Sequence, residues 1–211
     1  MTDKRQELKD RLLRAFEICD KHIARIEEAL CGLKSYFPLD EEKYLNLNSE
    51  AVMRLDQFIF RFSKLQDVIG AKIFRYVLAW LYEEEETMSM RDVLDRLERL
   101  GVIDSVESWV YMRELRNTIA HDYPLDTQEV VLSLNELVGS TETLKVIYER
   151  LEGFLLDILN GGWIGGRRSF RQKYIITKFF IYERYSACRR FRYAALSYYE
   201  RGEQAIAAHF R

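Results

Sequence analysis

The chain has 211 residues, of which 48% are hydrophobic and 31% charged, and its formal net charge is -2. That is enough for one domain with an extension and a buried core, and too little apolar sequence in any one run for a membrane span. Three cysteines far apart in sequence exclude a disulfide framework and suit a reducing cytoplasm, while the charged start MTDKRQELKD has no apolar segment of the secretory kind.

Apolar residues from Thr2 to about Leu33 recur in steps of three and four, at Leu8, Leu12, Phe16, Cys19, Ile23, Ile26, Leu30 and Leu33. This predicts one long amphipathic helix, ended by SYFPLDEEKY. Asn48 or Ser49 can cap a second helix from about Glu50 to Tyr82, whose core stripe reads Leu55, Phe58/Ile59, Phe62, Leu65, Ile69, Ile73 and Val77. Glu83 to Glu86 read as its solvated exit. Ser89 and Asp92 form a capping pair for a short third helix, which Gly101 is placed to end in the left-handed conformation. A fourth helix runs from about Ser105 into RELRNTIAHDYP. Asp126 and Glu129 predict the start of a fifth, spanning about Thr127 to Ile158.

No alternating strand pattern occurs, and only two prolines interrupt the chain. The expected fold is all-α: an antiparallel bundle of four to five helices over residues 1–158. A glycine-rich hinge follows at 159–166, centred on NGGWIGG. Residues 167–211 form a basic, aromatic-rich extension expected to be helical. Charge divides along the same line, since residues 161–211 carry 11 Lys/Arg and 3 Asp/Glu while the remainder of the chain is strongly acidic. The extension can be read as an RNA-binding surface, as an amphipathic element or as a docking element; a helical hairpin packed on the acidic bundle is the simplest of these readings.

Chemistry concentrates in RNTIAHDY. On a continuous helix Arg116 and His121 stand about 140° apart, whereas Asn117 and His121 share a face. Pro124 predicts that the helix ends near His121, which would put the imidazole on a last turn whose dipole favours its charged form. By itself this spacing equally fits an arginine and a histidine that satisfy terminal carbonyls.

RNTIAHDY fits the R-x4-H-x-Y signature of the HEPN superfamily, and the chain resembles its HepT-type toxin group. LDQFIFRFSKLQDVIGAKIF, residues 55–74, is similar to the second helix of that group, and the resemblance covers roughly residues 5–155. It implies a HEPN-like bundle that cuts RNA without metal as a homodimer. Arg116 and His121 would be catalytic, with Asn117 contacting phosphate or capping a carbonyl. Asp67 and Lys64 would support the site from the second helix or be ordinary polar positions.

His121 is the one side chain of the motif with a reference pKa, about 6.5, suited to moving protons near neutrality, and Arg116 brings a permanent planar cation for phosphate oxygens. The resemblance further implies that a small MntA-like nucleotidyltransferase antitoxin transfers AMP to Tyr123, placing an anionic nucleotide beside the cation. No HxxxH, HExxH or CxxC points to a metal, and no GxGxxG or Walker A to a resident nucleotide, so no cofactor is expected. His22, among charged neighbours on the first helix, reads as a surface residue. The other implied role is a non-catalytic HEPN adaptor that presents substrate to a nucleotidyltransferase.

Overall fold

A computed structural model describes residues 3–81, 88–121 and 126–159; within these, side chains are described for 4–81, 88–119 and 126–156. The described residues form helices and no strand: α1 (Asp3–Leu33), α2 (Glu41–Leu45), α3 (Ser49–Val68), a π turn (Ile69–Ile73), α4 (Phe74–Trp80), α5 (Met90–Arg99), α6 (Val106–His121) and α7 (Thr127–Leu159). The expected exit Glu83 to Glu86, Tyr123, the hinge at 160–166 and the extension at 167–211 lie outside the described residues.

The two long stripes read from the sequence meet each other. Leu12, Phe16, Cys19, Ile23, Ile26, Leu30 and Leu33 of α1 are buried, with Leu8 packed at the edge of the core. Facing them are Leu55, Phe58, Phe62 and Leu65 of α3, continued by Ile69, Ile73 and Val77, all buried as well. The helices run antiparallel: Gln57 donates to the Arg25 carbonyl at 3.4 Å, and Arg61 lies 3.5 Å from His22. Phe58, Phe62, Phe74 and Phe154 are among the largest side chains wholly removed from water. Each such burial is worth about 1.5–3 kcal/mol, and together they hold the bundle more than local propensity does.

α7 closes the bundle along α1. Lys145 pairs with Glu27 at 2.8 Å, and the Tyr148 hydroxyl donates to Asp20 at 2.6 Å. Further toward the start of α7, the Asn135 amide clamps the backbone after α1, accepting from Leu39 N–H and donating to Leu39 C=O, both at 2.9 Å.

The helix ends follow their caps. Asn48, not Ser49, caps α3, its side chain accepting from Ala51 N–H at 2.8 Å. Ser89 and Asp92 make a complete capping box at α5. Gly101 has φ 72° and ends that helix as a Schellman motif, with Val102 N–H on the Leu97 carbonyl and Gly101 N–H on that of Glu98. Asp126 accepts from Gln128 N–H at the start of α7.

Two features differ from the expectation. The connection after α1 contains the single-turn α2, capped by Asp40, where only a loop was expected. The second helix runs on from α3 into α4 through a π turn, where the apolar periodicity predicts unbroken α-helix. Gly70 explains why the turn is tolerated at that place. Trp109 of α6 packs against it so closely that a Cβ there would sit 3.0 Å from the indole ring, and the same indole meets Phe74 at 4.7 Å between centroids, with the rings tilted by 55°. The π turn is where α6 seats on the second helix.

Candidate functional site

Trp109 fixes where the rest of α6 falls. Arg116 is seven residues further along, two turns and about 10.5 Å toward the C-terminal end. α6 and the second helix run in opposite directions here, with Trp109 at Gly70 and Arg116 at Asp67, two residues before the π turn. Arg116 Nη2 donates to Asp67 Oδ1 at 2.9 Å. The guanidinium side chain is 15% exposed and the carboxylate 44%, so the cation is inserted and its partner stands at the rim. Arg116 Nε is buried without a partner, and so are both polar atoms of the neighbouring Gln66 amide. Buried polar groups in that condition cost about 1–3 kcal/mol each; Asp67 neutralises the cation through Nη2 and leaves these atoms unpaired.

Asn117, the next residue of α6, is half-buried. Lys64 is exposed one turn before Asp67, its ammonium 5.7 Å from the Phe60 ring centroid. His121 is the last described residue of α6; its side chain, the predicted helix end at Pro124 and Tyr123 lie outside what is described. The structure therefore joins Arg116 to Asp67 and sets Lys64 on the same helix as Asp67.

His22 is half-buried rather than on the open surface. Burial, and after it the charges of Arg61 and Lys64, hold its imidazole below the usual value of 6.5. Sequence reasoning missed this cationic group, because the partners come together only when α1 and α3 pack. Asp67 was read either as a support for the site or as an ordinary polar position; its direct ion pair with Arg116 was not foreseen, for the same reason. Phe60 was missed too, although an aromatic residue off the core stripe of its own helix is a signal that could have found it.

Elsewhere, burial pushes the Cys19 thiol up to about 12, with Asp20 adding to the shift and Lys72 opposing it. Among the described residues no group of three His, Cys, Asp or Glu could hold a metal ion, and no helix is long and apolar enough to cross a membrane.

The class defined by these features is an all-α helical bundle with a partly buried arginine–carboxylate pair between its second long helix and α6. No family model, curated protein or solved structure matches the chain.

Proposed function

We propose that this chain is a metal-independent endoribonuclease of the HepT type, acting in the cytoplasm as the toxin of a toxin–antitoxin pair. The observation that carries the reading is the contact of Arg116 with Asp67. The two segments on which the HEPN resemblance rests, RNTIAHDY and LDQFIFRFSKLQDVIGAKIF, meet at that contact.

In this reading the protein works as a homodimer whose two-fold axis passes near the C-terminal end of α6. A symmetric interface brings a motif near the axis against its own copy, and so supplies two imidazoles and two guanidinium groups to one RNA strand. One His121 takes the proton of a 2′-hydroxyl, whose oxygen attacks the adjacent phosphorus. The other His121 protonates the departing 5′ oxygen, leaving a 2′,3′-cyclic phosphate and a free 5′-hydroxyl. Arg116 neutralises the crowded phosphorane, with Asp67 orienting its planar fork and Asn117 beside it. Proton transfer by a positioned group is worth about 10²–10⁴-fold. Addition of AMP to Tyr123 by a nucleotidyltransferase partner would fill the cleft and compete for Arg116, switching the enzyme off.

One observation favours the second reading, a non-catalytic adaptor for a nucleotidyltransferase. Arg116 already has a carboxylate partner and little exposure, as a purely structural ion pair would. RNA cleavage by the full chain in EDTA separates the two. The ribonuclease reading expects cleavage that falls at least about 100-fold in His121→Ala and in Arg116→Ala. Equal activity in wild type and variants, or activity restored only by added metal, overturns it; harmless expression in bacteria with intact RNA supports the adaptor.

A further inference from the structure

The outer face of α3 should be polar, since its core stripe already fills the bundle. Yet Phe60 is 53% exposed. Met53, two turns earlier on the same face, is exposed as well, but the ring itself is flanked by charge. Arg61 Cζ lies 5.5 Å from the ring centroid and Lys64 Nζ 5.7 Å. Arg61 also adjoins His22 across the α1–α3 seam, at 3.5 Å. This is a local cluster of cations within a segment of the chain that is acidic overall.

The cluster is aligned with the site already described. Phe60 and Asp67 are seven residues apart, two helical turns, and so lie on the same face of α3 about 10.5 Å from each other. Lys64 falls between them. Phe60 and Lys64 therefore form a track along α3 toward the Asp67–Arg116 pair, with Arg61 beside the ring about 100° round the helix.

We propose that Phe60, flanked by Arg61 and Lys64, is a stacking platform for a base of a single-stranded RNA whose backbone follows α3 toward Arg116. The direction of the strand rests on the ribonuclease reading; the binding surface itself does not. Any base offers a π face to the ring, and its phosphates meet the flanking cations. The distance from Phe60 to Asp67 spans about three stacked nucleotides at ~3.4 Å each. A protein partner fits less well, because the centres of protein interfaces are depleted of charge while this ring is bracketed by it.

The test uses the full chain and a 2′-O-methyl oligouridylate of about ten nucleotides, a length within reach of one binding groove. Such a strand cannot be cut through its 2′ oxygen. Its binding is compared, by fluorescence anisotropy, with that of an abasic sugar–phosphate strand of equal length. Wild type should prefer the strand with bases. Phe60→Ala should weaken binding of that strand about ten-fold and leave the abasic strand unchanged, Phe60→Trp should restore it, and Lys64→Gln should weaken both. Phe60 is exposed, and thermal melting of Phe60→Ala verifies that the fold is kept. Unchanged binding in Phe60→Ala, or no preference for bases in wild type, overturns the platform. So does a changed sedimentation coefficient in Phe60→Ala, which would make this face a contact between copies of the chain. RNA cleavage with Phe60-independent binding would sink the platform and leave the ribonuclease; Phe60-dependent binding without cleavage would do the reverse.

Discussion

A histidine pressed between two helices and facing two cations resists protonation. His22 is in that position: burial first, then Arg61, then Lys64, hold it below 6.5. The folded chain thus binds this proton less well than the unfolded chain does, and stability is lost as pH falls through the unfolded value of 6.5. Urea unfolding at about pH 7.5 and about pH 5.5 should show a drop that is smaller in His22→Gln than in wild type. The cysteines offer a second reading at this scale. Cys19 is wholly buried with its thiol pushed up to about 12, whereas Cys31 is exposed. Since the thiolate is the reactive form, iodoacetamide at about pH 8 should label Cys31 in the native protein and Cys19 only after unfolding. Peptide mass spectrometry distinguishes the two.

Among the elements, the second long helix carries the most information. Its stripe from Leu55 to Val77 was readable residue by residue, because burial on one side of a helix leaves a period of three and four in the apolar residues. The caps at Asn48, Ser89, Gly101 and Asp126 were readable for a similar reason, since each uses a side chain or a missing side chain within a few residues of the backbone it serves. The π turn was not readable. Its packing partner is Trp109, distant in sequence, and a lone glycine within IGAKI does not by itself set a π turn apart from ordinary helix. The candidate site divides the same way. Arg116 stood out from its local spacing to His121, but its pairing with Asp67 depends on how α6 docks, and local periodicity carries no trace of that. Gly70→Ala tests the docking directly. Helix propensity would favour alanine by about 1 kcal/mol, yet its Cβ would press at 3.0 Å on an indole that is itself buried and held by Phe74. Overpacking of this kind costs about 1–3 kcal/mol, so a net loss of about 1 kcal/mol is expected in denaturant titration.

At the scale of the whole molecule, α7 ties the first part of the chain to the last described part. Its links to α1 and to Leu39 join residues separated by 96 to 132 positions. Asn135 is the most exacting of them, because it satisfies both backbone polar groups of one residue, Leu39, that would otherwise be orphaned at the α1–α2 connection. Asn135→Ala should lower stability by about 2 kcal/mol, the cost of leaving those groups unpaired, with an unchanged denaturant slope if the bundle still unfolds as one unit. A second, shallower transition would instead mean that α7 separates on its own.

A π turn takes in one residue more than the α turn it replaces. The helix beyond Ile73 is therefore set about 100° round its axis from where regular winding would have carried it. That offset is what turns Phe74 toward the indole and lets α6 lie against the Gly70 backbone. The length of the peptide between Val68 and Phe74 accordingly works like a gauge block between two machine parts. A related chain one residue shorter there would keep every letter of its arginine–histidine signature and still offer the aspartate of its second helix to a different neighbour.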